Sequence, residues 1–282
     1  MKTLISLFAA LTALFGQGDG FPAKSQTLSS VADVRQIVKL SIAATRRSWQ
    51  ARRLYTYLER DEDRRLDSAG HVRSEAVDVS RTILANGVPF GQLVEHNGRS
   101  PSTEEGRKQQ EKLDRLRRET PDHRAERLRA LEEEDTSIVR EVPKAFDFHL
   151  TGEEVVNGRR AYVLQATPHP GYHAQGKYGA MFSRVQGKLW IDKQDFGWIK
   201  VDGQVMQPLS IGLFLVRILR GSHITMEQTR IDDGIWMPES VGVRATAKIF
   251  FVKDLVIDRV LTYSEYRPAQ GAMASARDPG MP

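Results

Sequence analysis

Residues 241–251 read Val-Gly-Val-Arg-Ala-Thr-Ala-Lys-Ile-Phe-Phe, and their side chains alternate between two kinds. One face of an extended chain would carry Val241, Val243, Ala245, Ala247, Ile249 and Phe251. The other face would carry Arg244, Thr246 and Lys248. Because successive side chains of a strand point to opposite faces, this pattern predicts a long strand with one buried face.

The same period of two continues on both sides of that strand. Strand-like segments occupy residues 54–60, 72–84, 161–166, 188–192, 198–201, 224–231, 235–238 and 259–266. Asn-Gly pairs at residues 86–87, 97–98 and 157–158 indicate hairpins, since both central residues of a type I′ turn need positive φ. We expect about nine to eleven strands, mostly in consecutive hairpins. Sheets of that size curl or close.

The segment before the first strand has the period of a helix. Ser30 and Asp33 form an N-cap pattern, and the apolar residues that follow recur at spacings of three and four until Arg52-Arg53. Its apolar stripe needs a surface to cover. The sequence therefore predicts an α+β fold in which a strongly curved antiparallel sheet, an incomplete β-barrel with an apolar concave face, wraps around an N-terminal amphipathic helix.

Residues 102–135 interrupt the β pattern. A capping box begins at Ser102, and Pro121-Asp122 marks the end of one predicted helix and the start of a second. From Glu104 to Asp135 there are 11 acidic and 9 basic side chains, with few apolar ones. Interspersed charges of both signs predict a solvated helical hairpin inserted into the domain, rather than a nucleic-acid-binding arm.

The two ends of the chain predict its compartment. Met1-Lys2 precedes about 13 apolar residues, which is short for a membrane span and typical of a signal peptide, here assigned to residues 1–20. A single domain is expected over residues 28–267 and a disordered tail over 268–282. The chain contains no cysteine, which excludes disulfides and a lipid-modified N-terminal cysteine. We expect an exported, unanchored periplasmic protein.

Motifs for catalysis or metal binding are missing from the sequence. No nucleophile elbow, phosphate loop, dinucleotide fingerprint or zinc-protease motif occurs. His169 and His173 flank Pro170-Gly171, which predicts a polar loop rather than a metal site. The acidic runs 61–63 and 132–135 lack the glycine and alternation of a calcium loop and are expected to be solvated. No enzyme activity, cofactor or metal is predicted.

An ordered series of motifs resembles one family. It comprises Tyr55-Thr-Tyr-Leu-Glu59, Gly158-Arg-Arg-Ala-Tyr-Val-Leu164 before a proline-containing loop, Leu189-Trp-Ile-Asp192 and Asp233-Gly-Ile-Trp-Met-Pro238. Together with the exported N-terminus and the first helix, these are similar to the bacterial outer-membrane lipoprotein-sorting (LolA-like) proteins over residues 28–267. The resemblance implies a half-barrel with helices in its mouth and a cavity that carries acyl chains. The 102–135 insertion departs from the simplest carriers.

Candidate site residues follow from the apolar pattern and the basic clusters. The expected cavity lining is Ile37, Trp49, Trp190, Trp198, Ile211, Leu213, Leu215, Trp236, Ile249 and Phe251. The expected lipid-headgroup contacts are Arg46, Arg47, Arg52 and Arg53. For Trp190, Trp198, Trp236 and the apolar run 209–219, a place in the core is the commoner explanation. For the arginines, cations that suit a helix C-terminus rank ahead of a lipid contact.

Three functions stay open at this point. The first is a monomeric, non-catalytic periplasmic carrier of lipoprotein acyl chains or another lipid, with transient contact to a membrane surface. The second is an envelope interaction or sensor module that binds a protein partner through the half-barrel and the 102–135 helices. An envelope hydrolase is the third. Nucleic acid is not an expected partner of an exported chain.

Overall fold

The computed structural model describes residues 31–67, 69–173, 179, 181–211, 216–232, 234–249 and 253–269. The helices are α1 (Val31–Arg52), α2 (Thr103–Arg117) and α3 (Pro121–Ala145). The strands are β1 (Tyr55–Leu66), β2 (Val72–Ala85), β3 (Val88–His96), β4 (Phe146–Val156), β5 (Arg159–Pro168), β6 (Val185–Asp192), β7 (Trp198–Val205), β8 (Leu209–Ile211), β9 (Val216–Ile218), β10 (His223–Asp232), β11 (Ile235–Ile249) and β12 (Lys253–Pro268). The predicted signal peptide and residues 270–282 of the predicted tail lie outside the described residues.

All twelve strands join one antiparallel sheet that does not close. The strand order is β3-β2-β1-β12-β11-β10-β7-β6-β5-β4, and the β8–β9 hairpin attaches to β11 through β9. The predicted α+β class with an open antiparallel sheet is confirmed, with one strand more than the expected range. Pro268 and Ala269, placed in the tail by the sequence, belong to the sheet: Pro268 pairs with Tyr55, and the Ala269 amide donates to the Leu54 carbonyl at 2.8 Å.

The Asn-Gly turns have the backbone conformation that the sequence predicts. Asn86 and Gly87 have φ of 51° and 80°, and Asn157 and Gly158 have φ of 51° and 77°. These values are positive at both central positions, as a type I′ turn requires. Each pair joins two neighbouring strands, β2 to β3 and β4 to β5.

The main core lies between α1 and one face of the sheet, here called the inner face. Val34, Ile37 and Val38 of α1 are in one apolar cluster with inward residues of β4–β7 and β10–β12. On the long strand quoted above, Val241, Val243, Ala245 and Ala247 are at most 6% exposed, as the alternation predicts. The Trp236 amide of β11 also donates to Ser48 Oγ of α1 at 3.0 Å, which fixes the helix across the sheet.

A smaller cluster covers the opposite, outer face at one end of the sheet. It consists of Ala161, Val163, Trp190, Ile199 and Trp236. A bulge at the Trp190/Ile191 positions of the β6–β7 ladder turns Ile199 to this side and Trp198 to the inner side.

The 102–135 insertion is helical as predicted, and within it Leu113 is buried at 5% exposure. The capping box is formed, since Ser102 Oγ accepts from the Glu105 amide and Glu105 Oε2 accepts from the Ser102 amide at 2.8 Å. However, α3 continues ten residues past Asp135, to Ala145. Val139, Val142 and Ala145 are at most 1% exposed, and Val142 and Ala145 belong to the inner core. The second helix is therefore a structural part of the domain.

Helix α2 protects the free edge of β3. The Leu93 amide donates to Gln109 Oε1 at 2.6 Å, and Gln109 Nε2 donates to the Leu93 carbonyl at 3.4 Å. A side-chain amide thus occupies the backbone groups that another strand would otherwise pair with.

Replacing Gln109 should expose this edge. We expect Gln109→Ala to lower the free energy of unfolding by about 1 kcal/mol and to increase aggregation. The neighbouring Gln110→Ala is the control, because Gln110 is exposed and donates to Asp114 Oδ1 of the same helix at 2.8 Å, and the loss of that bond should cost only a few tenths of 1 kcal/mol. Urea unfolding and light scattering of both variants test this; equal behaviour would contradict it.

Candidate functional site

The inner face of the sheet divides into two halves of different chemistry. Strands β4–β7, β10 and β11 present the buried apolar residues of the main core. On the same face, β1 presents Glu59, Asp61 and Asp63, and β12 presents Arg259 and Tyr263 beside its core residue Leu261. We call these the apolar half and the polar half. The expectation of a uniformly apolar concave face is therefore wrong for the polar half.

The apolar half contains a pocket beside the β8–β9 hairpin. Its lining consists of Val185, Gly203, Val205, Leu209, Ile218, Ser222, His223, Ile224 and Ala245. Its volume is about 10 Å³, which is room for one water molecule. One wall is formed by Leu209 and Ile218, which pair with each other across the hairpin. This hairpin is held by only three residue pairs internally and three to β11.

The residues predicted to line a cavity are distributed over both faces of the sheet. Ile37 is buried in the main core, and Trp49 packs against it while partly exposed. Trp198 is 2% exposed on the inner face, and its indole N–H has no hydrogen-bond partner among the described residues. Trp190 and Trp236 lie in the outer cluster, away from the pocket.

The remaining predicted lining residues lie at or beyond strand ends. Ile211 ends β8 and Ile249 ends β11, and the backbones of both pair with Val216 of β9. Leu213, Leu215 and Phe251 lie outside the described residues.

Of the two outer-face tryptophans, Trp236 belongs to a polar network that holds the β6–β7 turn, whereas Trp190 Nε1 donates to Glu154 Oε2 at 2.7 Å. Asp192 is 1% exposed and accepts two hydrogen bonds from Arg159, at 2.6 and 2.9 Å. It also accepts the amides of Gln194 and Asp195. Asp195 in turn accepts Trp236 Nε1 at 2.9 Å and Arg230 Nε at 2.8 Å. The turn is thereby fixed to β5, β10 and β11, so this cluster has a structural role.

The polar half is built from alternate residues of β1. Glu59, Asp61 and Asp63 are spaced by two, and Asp63 pairs in register with Arg259 of β12, whose own neighbour is Val243 of the core strand. Arg259 Nε donates to Asp61 Oδ1 at 2.6 Å, and its terminal nitrogen contacts the other oxygen. Both side chains are at most 17% exposed. The acidic run 61–63 is therefore only partly solvated, contrary to the expectation, because two of its carboxylates face inward.

Tyrosines continue this surface toward the end of α1. Tyr57 contacts the rings of Tyr263 and Tyr266, with centroids 5.9 and 5.4 Å apart. Tyr266 Oη donates to the Pro238 carbonyl at 2.6 Å. Burial raises the pKa of Tyr263 well above its usual value, so this phenol stays protonated and can donate to Glu59.

We expect the charged form of Glu59 to lower the free energy of unfolding. Burial first, and the charge of Asp61 second, raise the pKa of its carboxyl, against the lowering effects of Tyr263, Arg52 and Arg259. A folded-state pKa above the unfolded value favours folding at low pH, and this advantage is lost as pH rises through the folded pKa. We expect Glu59→Gln to be more stable than the parent at pH 7, with the difference shrinking toward pH 4.5. Urea unfolding at both pH values tests this, and a variant less stable at pH 7 would contradict it.

The four predicted headgroup arginines are not equivalent. Arg46 and Arg47 are exposed on α1, whereas Arg52 and Arg53 are half-buried at its end. The charge of Arg52 acts on Glu59, Tyr263 and Tyr266, so this guanidinium belongs to the polar half.

The histidine loop forms a pair with an acid. His169 Nδ1 lies 2.9 Å from Asp147 Oδ1, and both side chains are about half-exposed. Within the described parts of the chain, no group of three or more histidine and acidic side chains is arranged to hold a metal ion. Among the helices described, none has the length and apolarity to cross a bilayer.

Comparisons with known proteins give matches among solved structures. No family model and no curated protein matches the chain. A DUF1329 family protein from Desulfovibrio piger is 14% identical, with 84% of this chain and 94% of that chain covered and a TM-score of 0.33. A putative outer membrane lipoprotein-sorting protein domain from Vibrio parahaemolyticus is 10% identical, with coverage of 86% and 94% and a TM-score of 0.35.

A LolA superfamily protein from Nitrosomonas europaea is also similar, at 11% identity, 83% and 92% coverage and a TM-score of 0.29. The resemblance predicted from the motifs thus reappears among solved structures. The identities and TM-scores are too low to transfer a ligand or an activity to this chain.

Proposed function

We propose that this protein is an exported, non-catalytic, monomeric carrier that holds an acyl chain of a lipoprotein or another lipid in the apolar half of its inner face. The observation that carries the proposal is the apolar pocket walled by the β8–β9 hairpin. Exposing an acyl chain to water costs about 0.8 kcal/mol per CH₂, so a carrier has to enclose it in apolar surface.

The pocket has to widen to take such a chain, and its weakest wall is the β8–β9 hairpin. Strands β1 and β12 share eleven paired positions, whereas β9 and β11 share three. A segment held by few hydrogen bonds opens at a lower free-energy cost than the rest of the sheet. Outward movement of Leu209 and Ile218 would widen the pocket along the inner face.

Filling the pocket tests the proposal. Ala245 lines it at 1% exposure, and Ala161 is 0% exposed in the outer cluster. Ala245→Leu and Ala161→Leu make the same change at two buried positions on opposite faces of the sheet. Each should lower the free energy of unfolding by about 1–3 kcal/mol. We expect only Ala245→Leu to weaken binding of a fluorescent fatty acid, by about tenfold or more.

Native mass spectrometry of the protein purified without detergent gives the second readout. A discrete adduct of lipid mass supports a carrier and gives its cargo class. A clean apo mass, together with no uptake of added phospholipid or lipopeptide, would overturn the proposal. Equal binding by the two leucine variants would show that the ligand lies elsewhere.

A protein-binding role is the second candidate, and the polar half favours it. Tyrosine and arginine are the side chains most often found at binding hot spots, and Tyr57, Tyr263 and Arg259 lie together there. Deleting 102–135 would not test this role cleanly, because α3 continues into the core. Tyr57→Ala is the sharper change: it should abolish capture of an envelope protein partner and leave fatty-acid binding unchanged if this candidate is right.

A further inference from the structure

The two edges of the open sheet differ in their protection. At the β3 edge, Gln109 of α2 occupies the backbone groups of Leu93. At the other edge, β4 pairs with β5, and in the described parts of the chain no further strand adjoins it. The ladder is regular over residues 152–156, which contain no lysine, proline or bulge, the usual means of protecting a strand edge. We call residues 152–156 the open edge.

The backbone of the open edge offers free hydrogen-bonding groups. The two-residue turn after Val156 makes the pair Val156–Arg159 hydrogen-bonded. Because bonded and non-bonded pairs alternate in an antiparallel ladder, the next pair, Val155–Arg160, is non-bonded. The Arg160 carbonyl accordingly faces β6, where it accepts the backbone amide that follows this strand at 3.0 Å. The N–H and C=O groups of Val155, and of Glu153 two residues earlier, therefore point away from the sheet.

The side chains of the open edge include an apolar residue and a charge without an ion-pair partner. Glu154 Oε2 accepts from Trp190 Nε1 at 2.7 Å, which places Glu154 on the outer face. Val155 is therefore on the inner face, where it is 70% exposed. Glu153 already pairs with two cations on that face. By contrast, no cation in the described parts of the chain forms an ion pair with Glu154.

We infer that the open edge binds an extended segment of a partner protein, which adds a strand beside β4. In that segment a lysine or arginine lies opposite Glu154 on the outer face, and an apolar residue next to it contacts Val155 on the inner face. In strand addition the main-chain hydrogen bonds give affinity and the alternate side chains give specificity. Opposite charges directly across a strand pair are favourable, so the charge of Glu154 selects a cationic segment.

A second copy of this chain fits the open edge less well. Pairing of Glu153 with Val155 of the copy would set the two Glu154 side chains directly opposite each other. Like charges in that position are destabilising. No residue of β4 lines the pocket, so binding at the open edge does not depend on cargo.

Fluorescence anisotropy with a labelled peptide of alternating valine and lysine tests the inference. We expect saturable binding, and binding about fivefold weaker or more when the central lysine of the peptide is replaced by glutamate. Val155→Pro removes an outward N–H but leaves the bonds to β5, and it should weaken binding by about tenfold or more. Val155→Thr keeps that N–H and should bind within about threefold of the parent.

Two glutamine variants test the charge. Glu154→Gln keeps an acceptor for Trp190 and removes the charge, so it should weaken binding of the lysine peptide by about threefold or more. Glu132 is exposed on α3, and Glu132→Gln changes the net charge equally. This control should bind like the parent. Equal losses in the two variants would show general electrostatic attraction and overturn the inference.

Residue-resolved hydrogen exchange locates the contact. Peptide should slow exchange of the Glu153 and Val155 amides and leave the Glu154 amide, which bonds to β5, unchanged. Full binding by Val155→Pro, checked by circular dichroism to be folded, would overturn the inference. So would a dimer of the parent that Val155→Pro makes monomeric, because a second copy would then occupy the edge. Fatty-acid binding should be the same in Val155→Pro as in the parent, which separates this result from the carrier proposal.

Discussion

Replacing Asp192 by alanine is expected to lower the free energy of unfolding by about 3–5 kcal/mol, because it leaves the Arg159 charge without its buried partner. The carboxylate accepts four hydrogen bonds, two from Arg159 and one each from the amides of Gln194 and Asp195. Its removal therefore frees the β6–β7 turn as well as the guanidinium.

Asp147→Ala is the control for this prediction. Asp147 is also paired, with the imidazole of His169, but both side chains are about half-exposed, so its loss should cost less than about 1 kcal/mol. Urea unfolding of the two variants at pH 7 measures the difference. A loss of under 1 kcal/mol for Asp192→Ala would show that the network is dispensable.

The Asp192 carboxyl also makes the free energy of unfolding decrease at acid pH. Burial alone would raise the pKa of Asp192, but the hydrogen bonds from Arg159 and the two amides outweigh it and lower the pKa below its ordinary value. A depressed folded-state pKa contributes stability above the unfolded value, and that stability is lost as pH falls through the folded pKa. Below pH 4, the difference in melting temperature between the parent and Asp192→Ala should therefore decrease, and thermal unfolding measures it.

The second large effect is expected at Gly197. A β-carbon placed there would lie 2.0 Å from the Trp236 ring atoms Cδ1 and Nε1. Trp236 is 3% exposed, and its indole N–H donates to Asp195, so the ring cannot move away without breaking that bond. We expect Gly197→Ala to lower the free energy of unfolding by about 3 kcal/mol.

Gly91→Ala separates the clash from a general effect of replacing a strand glycine. A β-carbon at Gly91 meets nothing within 4 Å. Alanine there should leave stability unchanged or raise it by about 0.5–1 kcal/mol, since alanine loses less backbone entropy than glycine on folding. Denaturant unfolding of the two variants tests this prediction. Similar stabilities of Gly197→Ala and Gly91→Ala would mean that Trp236 repacks freely and that there is no clash. Near-ultraviolet circular dichroism, which reports on the tryptophan environment, is the second readout.

Local patterns in the sequence were sufficient for the sheet. The alternation from Val241 to Ala247 and the Asn-Gly pairs depend only on neighbouring residues. They predicted the core strand and the hairpins at 86–87 and 157–158 correctly. Asn97-Gly98 has the predicted positive φ values but follows the last residue of β3 and leads to the helix α2, so the hairpin predicted there is wrong. The end of α3 was missed for a physical reason. Pro143 is a stop signal for a helix, yet it lies in the last turn before Ala145, where the buried Val139 and Val142 hold the helix against the core.

The polar half shows where sequence reasoning stops. Glu59, Asp61 and Asp63 alternate, which is a sign that they share a face, but nothing local says that the face is the inner one. Their partner Arg259 is 198 residues from Asp61 in sequence. Similarly, one bulge in β7 decides that Trp198 faces inward and Ile199 outward. Pairing between distant strands and register shifts of this kind have no short-range signal.

The position of β12 in the sheet sets the order of assembly. Strands β1–β3 reach the rest of the sheet only through β12, which ends at Pro268 and pairs with Tyr55 from the start of the domain. The sheet stays in two pieces until the last strand has emerged from the ribosome. Closure between such distant parts of the chain is slow, because the entropy of a long loop is lost before the strand pairs form. Truncation before residue 253 should therefore leave β1–β3 as an unanchored, protease-sensitive unit.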